Sequence, residues 1–207
     1  RQISCEIFYP ASSSGTDAPI ADGMFPFVVF GHGFVMNYTA YETLANALVS
    51  SGYVLIFVET EGGFAPSHSA YGLDLAFVAD HFFADNSTSS AGIFQNHLLD
   101  RCGIMGHSMG GGATWLASTT SASVDCIAGL APAETNPSAI AAATNATVPA
   151  IVFYGSSDAV TAPVVVDGAV GGSVRLGFGG STASASQQVA WTQILLAALA
   201  ALATAAV

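Results

Sequence analysis

Residues 103–118 read GIMGHSMGGGATWLAS, and they decide how the rest of the chain is organised. Small and apolar residues up to Gly106 read as a strand, Gly106 and Gly110 flank Ser108, and the residues from Met109 onward read as a helix. In a strand, turn and helix of the form G-x-S-x-G the serine sits on a sharp, strained turn. Glycine is required on both sides because the strained backbone and the close approach of helix to strand leave no room for side chains. The turn holds the Ser108 hydroxyl at the start of a helix, where free N–H groups favour developing negative charge. Ser108 is therefore the candidate nucleophile.

On both sides of this stretch, short β-rich runs alternate with segments of helical length. Strands are expected over 3–9, 26–31, 53–58, 102–106, 126–131, 149–154 and 173–178. Helices are expected over 39–50, 69–84, 109–119 and 187–205, with a shorter one opened by Pro137 and Ser138. That alternation predicts an α/β fold with a mainly parallel sheet, and the continuous apolar strands predict helices on both of its faces. No boundary, linker or repeat divides the 207 residues, so a single domain is expected over 1–207. In such a sheet, ligands bind outside the carboxyl ends of the strands.

Two further loops at strand ends carry chemistry. Acyl transfer needs two N–H donors aimed at the oxyanion, one from the residue after the nucleophile and one from an early loop. FGHGF at 30–34 supplies such a loop, which makes Phe34 and Met109 the candidate oxyanion donors. His32, within it, reads as a structural hydrogen-bonding residue rather than as the base. In FYGSSDAVTAP, Asp158 follows a strand downstream of the nucleophile and can orient and charge-stabilise a histidine. Glu134, after the preceding strand, is the lesser candidate for that part. A serine route of this kind calls for neither cofactor nor metal.

Composition narrows the partners. With 52% hydrophobic residues, 8% charged residues and a net charge of −11, nucleic acid and anionic membranes are disfavoured and a neutral or apolar ligand is expected. The sequence opens at Arg1 close to a strand-like run, as a processed mature chain does, and carries N-x-T sequons at Asn37, Asn86 and Asn145. Secretion is the expectation. Cys102 and Cys126 each begin an apolar run and would pair if those runs are neighbouring strands, leaving Cys5 over; three buried thiols are the alternative.

With these residues assembled, the chain resembles the cutinase and polyester-hydrolase branch of the α/β-hydrolases. The resemblance runs from about residue 25 onward and is most specific at GHSMGGGAT and at D-x-x-x-A-P-V from Asp158 to Val164. It implies a secreted serine esterase of cutinase, lipase or polyesterase type. Gly33 and Phe34 then form the oxyanion segment, Ser108 is the nucleophile, Met109 the second donor and Asp158 the acid. Only 49 residues separate Ser108 from Asp158, too few for a large cap domain, so bulky, polymeric or surface-bound esters can reach the serine.

Two departures qualify it. Relatives that cleave aromatic polyesters often carry a tryptophan where this chain has Ala131, Pro132 and Ala133, which argues against aromatic polyesters. The second concerns the base. All five histidines lie at or before position 107, and LGFGGSTASA ahead of VAW puts Thr182 where relatives have the catalytic histidine. Threonine is no general base near neutral pH.

Three readings follow. Thr182 belongs to a hydrolase fold that binds an apolar ligand without turning it over. Or another histidine substitutes, His68 in the loop GGFAPSHSAYG being the candidate, since His81 and His97 look structural. Or the residue identities towards the C-terminus depart from the natural ones. The chain has no lysine, and AWTQILLAALAALATAAV holds eight alanines in 18 residues with no charge. A closing helix should keep one polar face. Thr192 and Gln193 interrupt that run, so no membrane span is expected.

Overall fold

The computed structural model describes residues 1–154. The expected strand over 173–178, the helix over 187–205, Asp158 and Thr182 lie outside the described residues. Among the described residues six strands, β1 (Cys5–Phe8), β2 (Phe25–Gly31), β3 (Val54–Val58), β4 (Leu98–His107), β5 (Cys126–Leu130) and β6 (Ala150–Phe153), form one sheet in the order β1-β3-β2-β4-β5-β6. The β1 edge strand runs antiparallel to β3, and the other neighbours are parallel.

Helices cover both faces, as the apolar strands require. Along β3 the alternation of side chains sends Val54, Ile56 and Val58 to one face and Leu55 and Phe57 to the other. The first face packs on Tyr71, Leu75 and Val78 of α2 (His68–Asp85) and on Trp115 of α3 (Met109–Ser118). The second packs on Ala45 and Leu48 of α1 (Glu42–Ser50). Ser67 opens α2 by accepting the Ala70 N–H, and Ser138 opens the short α4 (Ala139–Ala143) by accepting the Ala141 N–H.

Two differences from the sequence reading have plain causes. Strand β4 begins at Leu98, four residues before the expected start, because Phe25 pairs with Leu98 while Phe27 pairs with Cys102, a bulge that takes up the exposed Leu99-Asp100-Arg101 step. The cysteine pairing is corrected. Strands β4 and β5 are neighbours, but Gly103, not Cys102, is the partner of Cys126. One step of register turns a side chain to the opposite face, so Cys102 and Cys126 point away from each other across the sheet. All three thiols are free. Burial pushes those of Cys5 and Cys126 up to about 11 and that of Cys102 well above its ordinary value, which keeps them protonated and poorly reactive.

Among the described residues no helix is long and apolar enough to cross a membrane, and no three His, Cys, Asp or Glu side chains gather as metal ligands do.

Candidate active site

Ser108 stands between the last residue of β4 and the first of α3, at φ 52° and ψ −115°. This positive-φ backbone is costly for a residue with a side chain, and its surroundings hold it there. The Ser108 N–H donates to Leu130 O at 2.9 Å, and Ser108 O accepts the N–H groups of Gly112 at 3.0 Å and Ala133 at 2.9 Å. The loop after β5 thus wraps the turn from behind. The Ser108 side chain has no hydrogen-bond partner among the described residues.

The glycines act by contact. A Cβ on Gly110 would overlap the Gly31 carbonyl and stand 2.6 Å from His32 O, while one on Gly106 would overlap the Gly110 carbonyl and stand 2.7 Å from Gly111 N. Backbone lies against backbone at both places, so neither neighbour can yield. Gly110→Ala is accordingly expected to destabilise the fold by about 3 kcal/mol or more. A denaturant midpoint equal to that of the parent chain would contradict this close approach.

The second oxyanion candidate is oriented by its own peptide group. Gly33 O accepts the Met36 N–H at 3.1 Å and lies 2.8 Å from His32 Nδ1. In a trans peptide the N–H points opposite to the C=O, so pinning that carbonyl aims the Phe34 N–H the other way. The Phe34 N–H has no partner among the described residues, and the Met109 N–H, first in its helix, has no carbonyl a turn back to bond. A bond from Gly110 N–H to His32 O, 3.0 Å, ties the two segments together.

His32 is structural in this arrangement. Its ring is 1% exposed, with Nδ1 on Gly33 O and Nε2 2.9 Å from Thr60 O, and its backbone N–H donates to the Tyr71 hydroxyl at 2.6 Å. A buried ring with both nitrogens against carbonyl oxygens cannot take a proton from Ser108. Behind it the Thr60 hydroxyl donates to Asp74 at 2.6 Å, and Asp74 is paired with Arg1, which reaches Glu61 at 2.7 Å. The Ser67 N–H and Arg1 hold the Glu61 carboxyl below its ordinary range.

The remaining titratable candidates are engaged elsewhere. His68 Nδ1 accepts the Asn136 N–H at 3.1 Å, which uses the lone pair of the neutral ring and leaves the proton on Nε2. A base must offer a bare nitrogen, so His68 would first have to give up that bond. Glu134 accepts the Ile140 N–H at 3.1 Å in the first turn of α4. His81 pairs with Asp85 at 3.1 Å one turn along α2, and His97 Nδ1 lies 2.9 Å from Gly23 O.

At the rim, the Phe34 ring is 50% exposed and meets Phe64, 86% exposed, edge to face with centroids 6.4 Å apart. Phe64 was not singled out from the sequence. Nothing in a glycine-rich loop after β3 marks it until that loop is seen beside the one after β2. Tyr41 was missed as well: its hydroxyl oxygen accepts the Gly33 N–H at 2.9 Å and lies 3.0 Å from His107 Nδ1.

The family described as PET hydrolase-like matches residues 4–171 of the chain. No curated protein matches it.

Proposed function

We propose that this chain, which belongs to the PET hydrolase-like family, is a secreted serine esterase working through an acyl-Ser108 intermediate. Membership carries the α/β-hydrolase fold and an ester-hydrolysing activity. The observation that carries the finer reading is Ser108 on its positive-φ turn, with the Phe34 and Met109 segments bonded to each other beside it. Ser108 Oγ adds to the ester carbonyl carbon, and the carbonyl oxygen takes its charge against those two N–H groups. The bond to the alcohol then breaks, the alcohol leaves with the proton that a base took from Ser108, and water releases the acid by the same steps in reverse order. Asp158 is the acid that would orient such a base. An organophosphate is expected to label Ser108, and a label that maps to another residue would end this reading.

A second reading is favoured by one residue, Thr182. Without a base at that place the same fold serves as a binding protein for an apolar ligand, with little or no turnover.

Secretion draws its support from the sequons. Asn37 and Asn145 are exposed. Asn86 is spent on structure, its amide donating to Leu98 O at 2.7 Å and accepting the Leu98 N–H at 3.1 Å.

The substrates proposed are uncharged esters, free or on a polymer surface. Phe34, next to the oxyanion segment, and Phe64 present two exposed aromatic rings in contact, a wall against which the alkyl or aryl part of a bound ester can pack. Phe64→Ala is expected to raise KM roughly three- to tenfold for an ester with a long alkyl or aryl acyl group, the loss of part of one aromatic contact. The corresponding acetate should be unaffected. Equal KM values for the long ester in the two proteins would remove Phe64 from the binding surface.

A further inference from the structure

An oxyanion hole made from two chain segments works only if their spacing is fixed, because a misplacement of about 1 Å can cost a hundredfold in rate. The backbone bond between Gly110 and His32 fixes one side of the Phe34 loop. On the other side stands the Tyr41 side chain. The Tyr41 hydroxyl takes the N–H of Gly33, the residue before Phe34, and touches Nδ1 of His107, the residue before Ser108. We propose that Tyr41 is a positioning residue whose hydroxyl sets the oxyanion loop against the nucleophile turn, an inference that rests on the Ser108 esterase reading.

The surroundings are built for that part. Tyr41 is 8% exposed, and its ring packs on Phe30 at 4.7 Å, Phe57 at 5.9 Å and His107 at 5.8 Å between centroids. Loop and turn come so close here that a Cβ on Gly33 would stand 2.8 Å from Met36 Sδ and 2.9 Å from His107 Nδ1. The hydroxyl has one hydrogen and two lone pairs. One lone pair takes the Gly33 N–H. Where His107 Nδ1 is bare, the hydrogen goes to it; where Nδ1 carries a proton, the oxygen accepts it and the hydrogen turns to Met36 Sδ, 3.3 Å away. Gly33 keeps its acceptor in both states. Burial pushes the phenol up to about 12, with the Gly33 N–H opposing, so the group stays a neutral hydroxyl at working pH.

Tyr41→Phe keeps the ring packing and removes only the oxygen, leaving the Gly33 N–H without its acceptor. For a small chromogenic ester, kcat is expected to fall ten- to a hundredfold with KM changed less than twofold, and affinity for an alkylboronic acid, which mimics the tetrahedral state, should fall by the same factor. The Gly33 amide should exchange with solvent at least tenfold faster, and the Met109 amide resonance should shift with it. An unchanged kcat, or a rise in KM alone, would overturn the proposal. A wild-type chain with no Ser108-dependent turnover defeats the esterase reading instead, and the two amide signals then decide: if neither moves in Y41F, Tyr41 does not join the segments. Should Y41F not fold, His107→Asn and His107→Ala replace it, since asparagine keeps a polar atom near the Nδ1 position and alanine does not. The alanine variant is expected to show the kcat loss and the asparagine variant to escape most of it. Equal rates in the two would refute the clamp.

Discussion

Replacing Ser108 with alanine is expected to abolish organophosphate labelling and, where a histidine base operates, to lower ester turnover by roughly 10⁴- to 10⁶-fold. The fold should not suffer. The Ser108 side chain caps no helix N–H, and the bonds that hold the turn run through its backbone to Leu130, Gly112 and Ala133, all of which alanine retains. An unfolding midpoint close to that of the parent chain therefore accompanies the lost activity, separating a chemical effect from a structural one. The size of the fall also reports on the base. Members of a catalytic unit are far from additive, so if the base is already missing, the starting rate is only what binding and the oxyanion hole supply and the alanine variant loses much less. Hydrolysis undiminished in folded Ser108→Ala ends the serine assignment altogether.

The turn at Ser108 was legible in the sequence because its physics is local. A strand, a serine between two glycines and a helix can be read from sixteen consecutive residues, and Gly106 and Gly110 meet backbone where the motif requires them to. The sheet was legible for a similar reason: each strand is a short apolar run, and β3, buried along its whole length, needs cover on both faces. What escaped was non-local. Cys102 and Cys126 looked like partners because adjacency of strands can be guessed from order, whereas register depends on which residues meet across them. Tyr41 lies 66 positions from His107, so no pattern in either stretch foretells their contact. Glu134 read as a spare acid because a carboxylate that caps a helix six residues on looks, in the sequence, like any loop carboxylate. The sequence places His32 beside the oxyanion loop as a hydrogen-bonding residue, but its second contact, to Thr60 O, comes from beyond the end of β3, 28 residues away, and is not readable there.

The presence of a histidine base decides between an enzyme and a binding protein, and the expected difference is as large as that at Ser108. A triad histidine contributes on the order of 10⁴ to 10⁶ in turnover. If the isolated protein hydrolyses a simple ester at several per second (a typical enzymatic rate), with a rate that rises through a pKa of roughly 6 to 7, a histidine base is present. The sign follows from the chemistry: only the neutral imidazole can take the Ser108 proton, so activity appears as the ring loses its own. Among the described histidines, His32 is closed in by Gly33 O and Thr60 O, and His68 holds the Asn136 N–H on the nitrogen it would have to offer. Mass spectrometry of the peptide covering residues 175–190 is then expected to show histidine at 182, and His68→Ala is expected to leave the rate intact. If the peptide reads Thr182 and His68→Ala removes a fast rate, His68 is the base and must abandon Asn136 to act. If it reads Thr182 and turnover is negligible, the binding protein is favoured, and Thr182→His should raise hydrolysis by several orders of magnitude, provided that Asp158 stands where the resemblance puts it. Failure of that substitution in a folded protein that still binds apolar esters would show that more than one part of the catalytic unit has been lost.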